Sequence, residues 1–453
     1  MKNDKKNDGF KSSIAMICVL AVVSALCCGY MTLKHIDPKA ADNVKGAFTF
    51  LYDDKNNTDG DKDNTDNKDG ENTTARLMCA GENLVYEAMY KEAKERASDG
   101  YDFSYIYKGI KDIISEADIA SINQATVISG DMKPSSYPKF CSPTALGDAL
   151  CSAGFNVINQ ASKNIWDKGE SGAKDTLEYW KTKQDVLMTG LYESEEDMNT
   201  AKIKEVNGIK FAFISLTTEL NNSGYSENSG VRLITLDEKG KSQVDAYNNI
   251  KHMIKAAKES ADVVVVSVNF GGNEAKEPTS EQESCTNYLV SFGADVIIGT
   301  GTHSVQPMEV RDNGNGSKTV IAHSLGNFMS AQTDKENMLG GIADIIYSKD
   351  AESGKVTLQS AKIIPTVTMI ESGKKNFRVI PLSELTEEDG QNHAVSGFTY
   401  DFANDYYSDV IGSDFIEKTV MDEESLTTKP DAANSSDGTT SGSDGDQTSG
   451  TNE

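Results

Sequence analysis

Short apolar runs alternate with helical patterns along most of this 453-residue chain, and this alternation constrains the fold more than any other feature. Several runs, such as Val263–Val268, are continuously apolar, as expected for strands that are covered on both faces. The other strand candidates are Arg76–Cys79, Ile119–Ile122, Phe155–Asn159, Lys210–Ser215, Asp295–Ile298, Thr319–Ala322 and Ile342–Tyr347. The helix candidates are Tyr86–Arg96, Thr144–Ala153, Lys174–Lys183, Gln243–Glu259 and Glu281–Phe292. The pattern predicts a layered α/β domain.

The later part of the chain adds strands without intervening helices. Lys355–Ile364 and Thr366–Ile370 follow each other closely and are typical of antiparallel strands. We therefore expect mixed β-sheets rather than purely parallel ones. In α/β folds ligands collect at the carboxyl ends of the strands, so the loops that follow the strands are where site residues are expected.

Two segments have compositions that exclude them from this domain. Residues 34–74 end in a run of Asp, Asn, Lys, Gly and Thr, and residues 427–453 contain no large apolar side chain. Such segments bury too little apolar surface to offset the entropy lost on ordering. We predict an acidic low-complexity linker at 34–74, one α/β domain at 75–426 and a disordered tail at 427–453.

An uncharged apolar run of 20 residues, Ile14–Leu33, precedes the linker. As a helix it would be about 30 Å long, which is the thickness of one bilayer core. Residues 1–13 contain four lysines, and the positive-inside rule places them in the cytoplasm. We therefore predict a single-pass cell-membrane protein with one N-terminal transmembrane helix and an extracytoplasmic domain. A cleaved signal that ends near Lys39-Ala40-Ala41 is the alternative.

Charge and cysteine usage exclude some classes of partner and cofactor. The formal net charge is −26, and such a surface repels phosphate backbones, so no nucleic acid is expected as a partner. The cysteines outside the anchor lack the paired spacing of zinc or redox motifs. These are Cys79, Cys141, Cys151 and Cys285. Whether any two of them form a disulfide stays open.

Six loops follow predicted strands and share polar, glycine-containing sequences. They are Ala80–Leu84, Ile122–Thr126, Asn159–Gly169, Val268–Glu274, Gly299–Pro307 and Ser324–Phe328. In order and spacing, from Ala75 to about Ile370, they resemble the motifs of the CapA family of poly-γ-glutamate capsule synthesis proteins. Ser324–Phe328 reads Ser-Leu-Gly-Asn-Phe, as it does in the family. The resemblance implies a metallophosphoesterase-like α/β sandwich.

The resemblance also implies where metal ligands would lie, and most of those ligands are replaced in this chain. Glu82 occupies the position of a family aspartate, and His303 retains a family histidine. Other family ligand positions are occupied by Ala125, Asn164, Asn269 and Gly301, and a family asparagine is replaced by Lys163. Because two ligands cannot hold two cations, we expect no cofactor, or at most one weakly held divalent metal.

The candidate cleft residues are Glu82, Asn83, Asn123, Lys163, Asn164, Asn269, His303 and Asn327. None of them is assigned a firm catalytic role, and Glu82 and His303 are the two that match family metal positions. We predict that Lys163 pairs with Glu82, because an ammonium group could replace the charge of a missing metal.

Three functions agree with these residues. The first is a CapA-like protein of capsule or envelope polymer synthesis whose metal site has decayed and which binds or scaffolds, so that it is a non-catalytic relative of metallophosphoesterase-like enzymes. The second is an active hydrolase or transferase on an envelope polymer with one metal or none. The third is a cell-surface binding module unrelated to capsule. The expected partners are the membrane, an envelope polymer and polymer-synthesis membrane proteins; the ligand and the oligomeric state stay open.

Overall fold

A computed structural model of the chain describes residues 72–416, except for 222–223, 237–242, 273, 315 and 413. The predicted cytoplasmic segment 1–13, the predicted anchor Ile14–Leu33, nearly all of the linker and the predicted tail 427–453 lie outside the described residues. Within the described residues, no helix is both long enough and apolar enough to cross a membrane.

The described strands and helices follow the predicted alternation. The strands are β1 (Thr73–Asn83), β2 (Ile119–Gln124), β3 (Val157–Asn159), β4 (Leu187–Thr189), β5 (Lys202–Val206), β6 (Ile209–Thr217), β7 (Val263–Asn269), β8 (Val296–Thr300), β9 (Met308–Asp312), β10 (Lys318–Ala322), β11 (Asn327–Met329), β12 (Leu339–Lys349), β13 (Val356–Glu371) and β14 (Lys375–Pro381). The helices are α1 (Glu87–Arg96), α2 (Lys111–Ile114), α3 (Thr144–Ala153), α4 (Gly169–Lys181), α5 (Glu195–Asn199), α6 (Gln243–Ser260), α7 (Ser280–Phe292), α8 (Glu387–Asn392) and α9 (Tyr400–Val410).

The strands form two mixed sheets. The first has the order β14-β13-β12-β1-β2-β3-β4, and β11 also pairs with β1. In it β1 to β4 are parallel, whereas β12, β13 and β14 are antiparallel to their neighbours. The second has the order β5-β6-β7-β8-β10-β9, with parallel pairing from β6 to β10 and antiparallel edge strands. The predicted α/β fold with mixed sheets is confirmed.

Strand β7 shows why its sequence is continuously apolar. Val263 and Val265 lie in the core between the two sheets, together with Leu77 of β1. Val264 and Val266 belong to a second core, in which the other face of the sheet packs on helices α6 and α7. Successive side chains of a strand point to opposite faces, so burial of both faces requires an apolar residue at every position.

Several strand boundaries differ from the prediction, most clearly those of β13 and β1. Lys355–Ile364 and Thr366–Ile370 are one strand, β13, which continues through Pro365. Strand β14 pairs with β13 only from Thr366 onward, and Ile363 pairs with Ile416, so Pro365 lies between these two pairings, where a missing N–H is tolerated. Strand β1 begins at Thr73, two residues inside the predicted linker.

Candidate functional site

The site begins with a buried carboxylate at the end of β1. Glu82 is almost completely buried, and the strand register places it beside Asn123 of β2 and Asn327 of β11. Nδ1 of His303 lies 2.8 Å from Oε2 of Glu82 and 3.2 Å from Oδ1 of Asn327. The approach to Glu82 is short but poorly aligned for a hydrogen bond, so the contact is mainly that of an ion pair.

The environment of His303 favours its protonated form. Burial lowers the pKa of the ring, but the charge and close approach of the Glu82 carboxylate, together with the contact with Asn327, outweigh burial and raise the pKa above its ordinary value of 6.5. The positive charge of Lys163 opposes this change in pKa. An imidazolium at this position compensates the negative charge of the buried carboxylate.

The amide of Asn269, the last residue of β7, connects the two sheets. Its Nδ2 lies 3.3 Å from Oε1 of Glu82, 3.3 Å from Oδ1 of Asn123 and 3.4 Å from Oγ1 of Thr300. Its Oδ1 accepts a hydrogen bond of 3.2 Å from the backbone N–H of Lys163. Glu82 and Asn123 belong to the first sheet and Thr300 to the second, so one side chain bridges both carboxyl edges.

Protein groups lie directly beside two positions that carry metal ligands in the resembling family. Gly301 has a φ of +89°, and a Cβ atom there would lie 2.7 Å from Oδ1 of Asn269. Ala125 is buried in an apolar cluster with Leu84 and Phe140. The amide of Asn269 fills the space beside residue 301, and apolar packing surrounds residue 125.

Lys163 does not pair with Glu82, so that prediction is wrong. Nζ of Lys163 lies 3.8 Å from Oε2 of Glu219, a residue in the loop after β6. Gly271 and Gly272 lie beneath this pair, where side chains would collide with Glu219 and crowd Nζ of Lys163. His303 neutralises Glu82 instead, and the two glycines leave space for the lysine to extend to Glu219.

The structure places the other predicted residues around this centre. Nδ2 of Asn327 donates hydrogen bonds to Oε1 of Gln332 (2.8 Å) and to the carbonyl of Asn337 (3.0 Å). Asn164 is buried next to Lys163, and its carbonyl accepts the N–H of Asp167. Asn83 lies in a neighbouring network of buried side chains. That network consists of Asn83, Gln124 and Tyr107, joined by hydrogen bonds of 2.7 and 2.9 Å.

Sequence reasoning missed several contributors to the site. Glu219 lies two residues after the end of β6. A charged side chain just after a parallel strand is a sequence signal that could have identified it as a site residue. Thr300 is the last residue of β8 and had the same signal. Glu274 lies in the loop after β7 and is not among the predicted cleft residues. Its Oε1 accepts a hydrogen bond from Nδ2 of Asn337 at 3.2 Å, so it belongs to the wall near Asn327.

The residues present do not fit a two-metal centre. In the part of the chain that the structure describes, there is no group of three or more His, Cys, Asp or Glu side chains that could hold a metal ion. A dinuclear site requires several carboxylates and imidazoles that converge on two ions. Here Glu82 and His303 pair with each other, and Asn269 is engaged in hydrogen bonds. The expectation that the site holds no metal, or at most one weakly bound divalent ion, stays a prediction.

Fold and site together define an α/β protein of two mixed sheets whose parallel strand ends converge on a polar, hydrogen-bonded centre. Residues 76–332, more than half of the chain, match the family described as "Bacterial capsule synthesis protein PGA_cap". The chain belongs to this family, and the resemblance to CapA proteins is confirmed.

Two curated relatives are similar over part of their length. The chain is 27% identical over 259 residues to the "Capsule biosynthesis protein CapA" of Bacillus anthracis, which is 55% of this chain and 59% of the relative. It is 32% identical over 179 residues to the "PGA biosynthesis protein CapA" of Bacillus subtilis (strain 168), which is 39% of this chain and 43% of the relative. The chain thus spans about half the length of the curated relatives it matches.

Solved structures that align with this chain include one described as a phosphatase and one described as a phosphoesterase. A novel phosphatase of Mycoplasma pneumoniae is 14% identical and has a TM-score of 0.40, with 66% of this chain and 95% of that chain covered. The calcineurin-like phosphoesterase YfkN of Bacillus subtilis is 13% identical and has a TM-score of 0.39, with 65% of this chain and 91% of that chain covered.

Proposed function

We propose that this protein is a membrane-anchored, extracytoplasmic member of the capsule synthesis family that binds or scaffolds an envelope polymer of the poly-γ-glutamate type. In this proposal the protein works without a metal centre. The names of its curated relatives support the link to capsule assembly, and the apolar segment Ile14–Leu33 supports the anchor. The family match favours this function over a surface module unrelated to capsule.

The observation that carries the proposal is the bonding of Asn269. Its amide contacts Glu82, Asn123 and Thr300 and accepts the backbone N–H of Lys163, so the centre is held by hydrogen bonds among protein groups. An amide is a much poorer ligand for transition metals than an imidazole. A centre that is connected by protein groups in this way supports a binding role over metal-assisted hydrolysis.

The ion pair of Lys163 and Glu219 offers a way to bind a charged polymer. The two charged atoms are 3.8 Å apart, and the side chains are 24% and 52% exposed. Pairs as open as this contribute little to stability, so the lysine can exchange its partner for a carboxylate of the polymer at small cost. Lys163 is then the group that contacts an anionic ligand at the mouth of the cleft.

Two measurements on the purified full chain test this proposal. Elemental analysis is expected to find no stoichiometric transition metal, and two metal ions per chain would contradict the proposal. Binding to poly-γ-glutamate is expected to weaken on Lys163→Ala and to stay unchanged on Lys94→Ala, a matched change of an exposed lysine on α1. Equal binding by all three proteins would remove Lys163 from the ligand site.

The second candidate is a hydrolase or transferase that uses Glu82 and His303. A histidine whose pKa is raised beside a carboxylate can donate a proton to a leaving group. Its Nε2 has no hydrogen-bond partner among the described residues, so it is available to a ligand. Shortening of polymer chains by the wild-type protein in the presence of a chelator, abolished by His303→Asn, would favour this candidate over binding alone.

A further inference from the structure

Helix α9 lies beyond the residues that match the family, yet it contacts three loops of the site. Oη of Tyr406 donates a hydrogen bond of 3.0 Å to the carbonyl of Val305, two residues after His303. The ammonium of Lys276, in the loop after β7, lies 4.5 Å from the centre of the Tyr406 ring. The ammonium of Lys335 lies 4.0 Å from the centre of the Phe402 ring.

These loops are the ones that carry polar groups of the cleft. The loop 301–307 carries His303, the loop 270–279 carries Glu274, and the segment 330–338 carries Gln332 and Asn337. Helix α9 therefore contacts three separate segments that line the cleft. Cation–π contacts and a hydrogen bond to a buried carbonyl are directional, so they restrict both the distance and the orientation of each loop.

His303 needs such a restraint. Its φ is +63°, a left-handed conformation that a residue with a Cβ atom adopts at a cost. A side chain in this conformation keeps its direction only when the surrounding structure holds the loop. The hydrogen bond from Tyr406 to the carbonyl of Val305 holds this loop two residues after His303.

We infer that helix α9 is a positioning element of the site and that Tyr406 is the positioning residue for His303. Tyr406 does not touch a ligand itself. Through Val305 it fixes the loop that directs the imidazole toward Glu82 and Asn327. This role is independent of whether the site binds a polymer or transforms it.

Tyr407 provides a matched control in the same helix. Its Oη lies 2.6 Å from the carbonyl oxygen of Gly340 in β12 and 2.7 Å from that of Thr366 in β13, and these two acceptors share its single hydrogen. Tyr406→Phe and Tyr407→Phe each remove one buried hydroxyl and keep the ring. If α9 only stabilises the fold, the two substitutions should have similar effects on the loop 301–307 and on His303. If α9 positions His303, only Tyr406→Phe should affect them.

The test is hydrogen exchange and histidine NMR on the full chain in detergent. Tyr406→Phe is expected to speed amide exchange in 301–307 by about fivefold, as loss of one buried hydrogen bond implies, and to move the ring signals of His303. Tyr407→Phe is expected to speed exchange in β12 and to leave 301–307 and His303 unchanged. The ring signal of His252, which is exposed on helix α6, is the internal reference.

Two outcomes would overturn the inference. One is unchanged exchange in 301–307 and unchanged His303 signals in Tyr406→Phe. The other is the same change at His303 in both tyrosine variants, which would indicate a general loosening of the fold. If Tyr406→Phe does not fold, Lys276→Met removes the cation–π contact from the other side and is expected to speed exchange in 270–279 and not in β12.

Discussion

At the scale of single residues, the side chain of Asn269 connects the polar ends of strands from both sheets, as a bound ion connects its ligands in a metal centre. Its amide joins Glu82 and Asn123 of one sheet to Thr300 of the other and also accepts the N–H of Lys163. An amide carries two hydrogens for these three acceptors, so its hydrogen bonds are shared and long. The link is therefore made of several modest contacts, each of which disappears when the side chain is removed.

We predict that Asn269→Ala lowers the free energy of unfolding by about 1–3 kcal/mol, since it leaves buried polar partners unsatisfied. Unfolding in urea can be followed by fluorescence, because the tryptophans Trp166 and Trp180 are both buried in the domain. Asn248→Ala, on the exposed face of α6, is the control and should change stability by less than about 0.5 kcal/mol. Equal effects of the two changes would contradict the role given to Asn269.

The ion pair of Glu82 and His303 makes stability depend on pH. The pKa of His303 is raised in the folded state above its ordinary value of 6.5. The contribution of the pair is therefore fully present below pH 6.5 and is lost as the pH rises through the folded-state pKa.

We predict that the stability difference between wild type and His303→Asn is larger at low pH and shrinks above neutrality. Asparagine is the chosen replacement because it tolerates the left-handed φ of +63°. His323 and His393, whose pKa values are lowered by burial, act in the opposite direction but are present in both proteins and cancel in the difference. A difference that grows with pH would exclude the ion pair.

Convergence of the site residues could be predicted from sequence, but the partner of Lys163 could not. Glu82 and Asn123 lie at the ends of neighbouring parallel strands, and such ends meet at one edge of a sheet whatever the side chains are; Asn269 ends a parallel strand of the other sheet. The direction of a long lysine side chain depends instead on what fills the neighbouring space. Here that space is free because residues 271 and 272 are glycines, and the carboxylate that uses it, Glu219, is distant in sequence.

At the scale of the element, the loop after β8 depends on a glycine next to the central amide. Gly301 combines a φ of +89° with a direction in which any Cβ atom would lie 2.7 Å from Oδ1 of Asn269. Gly314, in the turn between β9 and β10, also has a positive φ, +75°, but a Cβ atom there would meet no heavy atom of the described residues within 4 Å. A substitution at Gly314 therefore tests backbone strain alone, whereas one at Gly301 tests strain together with steric collision.

We predict that Gly314→Ala costs about 1–2 kcal/mol of unfolding free energy, the cost of a left-handed alanine. Gly301→Ala should cost about 1–3 kcal/mol more, since it adds overpacking against Asn269. Comparison of urea midpoints for the two variants measures this difference. Equal costs would mean that the Asn269 amide can move aside, and a ligand at residue 301 could then be accommodated.

Some of the elements that the sequence analysis missed are very short. Strands β4 and β11 have three residues each, too few for a periodic pattern to distinguish a strand from a loop. Strand β13 was divided at Pro365, because proline ordinarily ends a strand that has neighbours on both sides. Both kinds of error have one origin: pairing with distant strands, which local sequence does not encode, decided the outcome.

At the scale of the whole molecule, the folded domain and the C-terminal tail differ in how many large apolar side chains they contain. Among the described residues, the two largest apolar cores lie between the sheets and beneath α6 and α7. The tail 427–453 has no large apolar side chain to add to either core. We predict that deletion of 427–453 leaves the melting temperature of the full chain unchanged within error. A decrease of several degrees would show that the tail packs on the domain.

The last prediction concerns the attachment of the chain to the membrane through Ile14–Leu33. The apolar run has 20 residues and follows a lysine-rich segment, so insertion with the N-terminus in the cytoplasm is favoured. Protease added to cells without their wall should digest the domain and leave a small membrane-bound fragment. Replacement of Val22 and Val23 by lysine should release the chain from the membrane fraction, because charges at the centre of a bilayer are costly. Release of wild-type protein that begins near Ala41 would instead establish a cleaved signal.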